Sequence, residues 1–436
     1  MFVAHPLIGS PPLAAPPLVL AAAVVLLAAF VATRVAAAPA RRVRPVREPR
    51  WLWVPRLVAL LVLLLLLAVA RGGPPEEPRN LAAIGVVHLL WPGLLLASAA
   101  AGPLLWRALD PWRALGAVER LAGAPPPGRA VTAPSGDAAL PDAALPDAAQ
   151  PDPAPAADAP PDVPAPAAAD SALDRSRPVW PAVVTGGAWA AFLALHAVTV
   201  SPRKLATALA VYTIVLLAGS LALGRDRWLP TADGVGLVVG WTGLVRRGRL
   251  LTWHPPPAAA ALLGAVFGGV AFTRLRLSSA WGEVALRDDP ETWHRVGAVA
   301  AVALGAAVGW LAERWATRRG AAGSVAAALV PVTAATVVAL TLRRLTVAAQ
   351  LVPGLASDPF DKGWRLLGPL GDPRPIDVNP WGTAVQQALS VGVVALGAVA
   401  AAWVVARRVR GVRARDPGAL LVYVTSFLAV LLAMSR

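Results

Sequence analysis

Of the 436 residues, 57% are hydrophobic and only 15% charged, and the mean hydropathy is +0.60; a soluble chain of this length does not hide so much apolar surface, which leaves a multi-pass membrane protein. Cysteine is absent, which excludes a disulfide framework, a thiolate nucleophile and thiolate metal ligation. The net charge of +15 comes almost wholly from arginine, and in a membrane chain that excess records topology and anionic headgroups, so the expected partner is the lipid bilayer and not nucleic acid.

A bilayer core about 30 Å thick is crossed by about 20 apolar residues at about 1.5 Å each. Ten runs fit: residues 13–32, 51–70, 81–106, 181–200, 205–224, 258–273, 296–312, 321–342, 384–406 and 419–434. They are continuous Ala/Leu/Val blocks without the period-two alternation of barrel strands. The expected fold class is therefore an all-α polytopic membrane protein of about ten transmembrane helices, placed in the cell membrane. Its parts are residues 1–123 (three spans and an interfacial helix), 124–176 (a linker) and 177–436 (a seven-helix bundle with an outer loop, 343–382).

The first run has no positive segment before it and a basic cluster, Arg34 to Arg50, behind it. It reads as a retained helix entering with its N-terminus outside, not as a cleaved signal. Arginine placement carries that orientation onward: the alternate connections after spans one, three, five, seven and nine hold most of the positive charge, so they are expected in the cytoplasm and both termini outside. Arg56 is expected to snorkel from the second span to the interface. Trp51, Trp53, Trp106, Trp180, Trp281, Trp293, Trp315 and Trp381 lie near span ends, as interfacial anchors do.

The third span, with Pro92 and Pro103, is expected to kink. It ends in "WRALDPWRAL", where Asp110 reads as an N-cap and Pro111 as the first residue of a short amphipathic helix. Residues 124–176, "DAALPDAALPDAAQPDPAP" and similar, are an Ala/Pro/Asp repeat expected to be a disordered cytoplasmic spacer. Residues 231–257 are too polar at their C-terminal end to span and read as re-entrant or surface-lying. Their glycines at 234, 236 and 240 follow no strand and make no phosphate-binding fingerprint. Gly264 with Gly268, and Gly305 with Gly309, are small-xxx-small pairs that allow two helices to approach closely.

No G-x-S-x-G, Walker or H-E-x-x-H motif occurs. The expected topology brings His5, His88, His196 and His294 to the outer side, leaving His254 at the inner edge. Neutral imidazoles with nearby carboxylates are candidate ligands for a divalent metal that would polarise a phosphoryl oxygen or acidify water. They come from separate elements, and interfacial or packing histidines are the competing reading. His88 stands out because an ionisable side chain inside a span tends to face the bundle interior or a water-filled cavity. In "SDPFDKGWRLLGP", on the same outer side, Asp358 and Asp361 are candidate general bases, Pro359, Gly363 and Gly368 turn residues, and Phe360 and Trp364 candidate interface anchors.

Six stretches in order, "AHPLIG", "WRALDPWRAL", "SPRKLATALAVYTIVLLAG", "RGRLLTWHPP", "ASDPFDKGWRLLG" and "NPWGTAVQQALSVG", resemble the fenitrothion hydrolase-like family of bacterial and archaeal polytopic membrane proteins. His5 is similar to a histidine near the family's mature N-terminus, and Asp358, Pro359, Gly363 and Trp364 match its D-P…G-W loop. Two histidines that the family carries eight residues apart on the penultimate helix correspond here to Ala398 and Ala406, and the Ala/Pro/Asp insertion is also a departure. The resemblance implies hydrolysis of an organophosphate ester at the outer face. The residues by themselves assign no activity; the alternative is a transporter, permease or accessory membrane subunit for a small solute or metal ion, and a third reading is a scaffold whose activity lies in a membrane or soluble partner subunit.

Overall fold

The computed structural model describes residues 50–114, 178–196, 200–285, 289–372, 376 and 382–408. Every regular element among them is a helix: α1 (Trp53–Gly72), α2 (Leu81–Ala101), α3 (Leu104–Leu109), α4 (Trp180–Leu195), α5 (Pro202–Leu223), α6 (Arg225–Ala232), α7 (Gly234–Thr242), α8 (Ala259–Leu275), α9 (Ser279–Ala285), α10 (Pro290–Arg318), α11 (Ser324–Ser357) and α12 (Thr383–Arg408). Six of them, α1, α2, α5, α10, α11 and α12, are long and apolar enough to cross a bilayer, and α8 with α9, bent by 89° between them, makes up to seven. The expected spans at 13–32 and 419–434, the linker at 124–176 and His5 lie outside the described residues. Span 181–200 corresponds to α4, which stops after 16 residues, about 24 Å of helix.

The peripheral helices carry the mark of a lipid-facing surface. Val54, Leu57, Val58, Leu61, Val62, Leu64 and Leu65 of α1 are exposed, while Leu60, Leu66 and Val69 turn inward. An exposed apolar face of this size is not that of a soluble monomer. Arg56 does not snorkel outward. It is 4% exposed, and its Nε donates at 2.8 Å to the Arg107 carbonyl, one of those left free in the last turn of α3.

Helices α2 and α11 form the interior. Within α2, Gly85–Leu90 is a π-helical stretch. Pro92, one turn on, has no N–H to give and crowds the carbonyl four residues back, and the widened turn ahead of it accommodates that defect. The break falls at Gly102, whose φ of +97° needs a glycine, and at Pro103.

Helix α11 runs for 34 residues, about 51 Å, well beyond the 30 Å or so of a bilayer core. It continues through Arg343 and Arg344 to Ser357, so the loop expected on the outer side starts at Asp358 and not at 343. At its start the Glu313 carboxylate accepts from the Gly323 and Ala326 N–H groups, and Arg408 donates to the Leu250, Trp253 and Gly323 carbonyls. These bonds neutralise free helix-end groups from three segments.

The small-residue pairs meet as expected. A Cβ on Gly264 would lie 2.1 Å from the Gly305 carbonyl oxygen, and one on Gly305 would lie 2.1 Å from that of Gly264. Gly268 and Gly309 face Ala301 and Ala260 in the same way, so α8 and α10 pack backbone to backbone.

Candidate functional site

Two polar centres are built into the described bundle. The first lies where α1 and α4 end and α2 begins. Asn80 caps α2, its Oδ1 accepting from the Ala82 and Ala83 N–H groups, while its Nδ2 donates to the carbonyls of Val69 and Pro74. That clamp sets the position of the short turn Glu77–Arg79. Glu77 Oε1 then lies 2.9 Å from His88 Nε2, and Glu77 Oε2 accepts the Val200 N–H at 2.9 Å. The two side chains are 13% and 7% exposed, a nearly enclosed pair of ionisable groups. His88 sits in the π-helical stretch of α2, which turns its imidazole onto the carboxylate.

An arginine reaches this pair from α11. Arg344 of α11 is in electrostatic range of the Glu77 carboxylate and of Arg274, Arg276 and Arg343. Arg276 Nη1 donates to the last carbonyls of α4, at Ala194 and Leu195. A small apolar cavity between α2, α4 and α8 is lined by Trp91, Trp189, Leu193, Val266, Val270 and Thr273, the last being the neighbour of Arg274.

The residues expected to form a metal site do not converge among those described. Neither His88, His196 nor His294 belongs to a group of three His, Asp or Glu side chains able to hold an ion. His88 is spent on Glu77, and His196 packs on Phe192 with ring centroids 4.8 Å apart. His294 Nδ1 accepts the Trp281 indole N–H at 2.9 Å, so its one lone pair is occupied and the proton is on Nε2.

The loop carboxylates are engaged too. Asp358 accepts from the N–H groups of Lys362 at 2.8 Å and Gly363 at 2.6 Å, which closes the turn. Asp361, left-handed at φ 56°, forms an ion pair with Arg79 that is half exposed. Gly363 and Gly368 have positive φ, as turn residues. Phe360 is half-buried against the cluster that holds Val69 and Ala82, while Trp364 is 47% exposed.

The second centre was not expected from the residues. Asp233, 3% exposed, joins α6 to α7. Its Oδ1 accepts from the Tyr212 hydroxyl at 2.7 Å and the Gly236 N–H at 2.9 Å, and its Oδ2 from the Trp106 indole at 3.1 Å. Tyr212 in turn accepts the Val235 N–H, and Thr185 accepts that of Gly234 while donating to the Ala232 carbonyl. A Cβ on Gly236 would fall 2.0 Å from the Trp106 indole nitrogen, which accounts for glycine there. The re-entrant expectation for this segment thus takes the form of a broken helix held inside the bundle, with a carboxylate satisfying the backbone at the break. The one local hint was "TADG", an acidic N-cap ahead of an apolar run.

Asp110 is the cap it was expected to be. It accepts the Trp112 and Arg113 N–H groups, each at 3.1 Å, and binds the Arg113 side chain. No family model, no curated protein sequence and no solved structure matches this chain.

Proposed function

We propose that this protein is a ten-span helical protein of the cell membrane, with both termini outside, that binds and passes a small polar solute at the end of the bundle holding Glu77 and His88. The observation that carries this reading is the Glu77–His88 pair, two ionisable groups enclosed against each other at a π-helical stretch of an interior span. Ionisable side chains enclosed in a helical bundle are costly and mark solute pathways or proton relays, and π-bulges recur at functional positions. The broken helix at Asp233 and the bend between α8 and α9 add the discontinuous helices on which solute sites in transporters are built.

Uptake into proteoliposomes across a panel of labelled small anions, cations and metal ions tests it. Wild-type protein is expected to move at least one solute faster than empty vesicles, and Glu77→Gln to slow that flux at least about tenfold, the effect of about 1.4 kcal/mol. Flux equal to empty vesicles across the panel, or equal in the variant, overturns the reading.

A second reading is the organophosphate-ester hydrolysis that the family resemblance implies. Its support in the geometry is Asp361, a carboxylate about half exposed at the same end, whose pairing with Arg79 leaves it open to water. On this reading Asp361 or Asp358 is the general base, with a divalent metal held by His5 and its partners. Asp361→Asn is then expected to lower hydrolysis of an aryl phosphotriester by about a hundredfold. Equal rates in wild type and variant, with and without added zinc, overturn it.

A further inference from the structure

We propose that Arg274, Arg276 and Arg344 form a binding site for a phosphate-bearing anion. The inference rests on the reading of this end of the bundle as the solute-handling end, and it names the class of ligand. Arg274 and Arg276 close α8, and Arg344 projects from the middle of α11, so two helices distant in sequence bring Arg274 and Arg276 within electrostatic range of Arg344. All three are partly buried, and Arg343 adds a fourth positive charge within range.

Like charges within that range repel one another, and partial burial strengthens the repulsion. The carboxylate in range of Arg344 is Glu77, which His88 and the Val200 N–H already engage. Arg276 donates to the Ala194 and Leu195 carbonyls, which fixes its guanidinium without neutralising it. Arg274 and Arg344 have no hydrogen-bond partner among the described residues. Their planar donor forks therefore remain available, and that geometry matches two oxygens of a phosphate.

The depth of the cluster agrees. Arg344 lies about 30 Å along α11 from Ser324, which is the thickness of a bilayer core, so the guanidinium groups sit at headgroup level. The phosphate can thus belong to an anionic lipid or to a soluble phosphate or phosphate ester.

Two arms separate these sources on the full chain. One measures binding of labelled inorganic phosphate in detergent against a chloride background of equal ionic strength. The other uses native mass spectrometry to compare retention of phosphatidylglycerol with that of phosphatidylcholine. Wild type is expected to prefer the phosphate anion in one arm, and Arg274→Gln and Arg344→Gln each to weaken that binding at least about tenfold, the loss of a charge-assisted hydrogen bond. Arg344→Lys is expected to fall between. Because these variants could misfold, phosphate or phosphatidylglycerol should also shield Arg274 and Arg344 of the wild type from phenylglyoxal.

No preference in either arm, or glutamine variants that bind like wild type, overturns the site. So does the absence of shielding. Binding without flux of any solute overturns the transport reading and keeps this site. Flux of a solute with no phosphate preference in either binding arm overturns this site and keeps the transport reading.

Discussion

Asp233→Ala is expected to destabilise the protein in detergent by about 3–5 kcal/mol, the largest loss from any single polar side chain among the described residues. The carboxylate is enclosed and gathers three donors from separate segments: Tyr212 of α5, the Trp106 indole of α3 and the Gly236 N–H of α7. Removing it strands those donors in an apolar interior where water cannot replace it. Tyr212→Phe removes one bond to the carboxylate and leaves the Val235 N–H unpaired, for an expected cost of about 1–3 kcal/mol. In the double variant much of the tyrosine effect should vanish, because its partner is already gone. Unfolding midpoints of the four proteins check this, and additive losses would show that Asp233 and Tyr212 act separately.

Gly264→Val is expected to prevent native packing of α8 on α10. The first side-chain carbon would already stand 2.1 Å from the Gly305 carbonyl oxygen, inside any permitted contact, and backbone cannot step aside as a long side chain can. Alanine at Gly264 should cost about 3 kcal/mol as the helices are forced apart, and valine more. Gly392→Ala is the control, since nothing lies within 4 Å of its Cβ position on α12; there alanine should be neutral or stabilising by up to about 1 kcal/mol. Crosslinking between cysteines placed on α8 and α10, together with melting curves, reads out both. Equal stability of Gly264→Ala and Gly392→Ala would overturn the close-approach account.

Helical runs and local caps could be read directly from the residues because their causes are local. A block such as "LVALLVLLLLLAVA" has no alternative in lipid to satisfying its own backbone as a helix, and Asp110 before Pro111 is a cap whatever surrounds it. Gly264, Gly268, Gly305 and Gly309 were legible for a similar reason, since small residues at that spacing serve one purpose between helices. Span ends were harder. Arg343 and Arg344 look like a boundary by hydropathy, yet the helix runs on because its later residues, Val352, Leu355 and Ala356, pack against the ends of α1 and α2.

What the sequence by itself determined is the class of molecule: an arginine-rich helical chain whose long apolar runs suit a bilayer. Only the tertiary structure decided which polar groups meet. One extra residue in the π-helical turn shifts the facing of everything beyond it by about 100°, so no count along α2 could point His88 at Glu77. Asp233, Tyr212 and Trp106 lie on three segments, and Arg274 and Arg344 on two helices, and no local pattern encodes such meetings. Asp358 shows the converse: a residue that looked reactive in a loop spends both oxygens on the Lys362 and Gly363 N–H groups, because a turn needs its own donors answered before any substrate does.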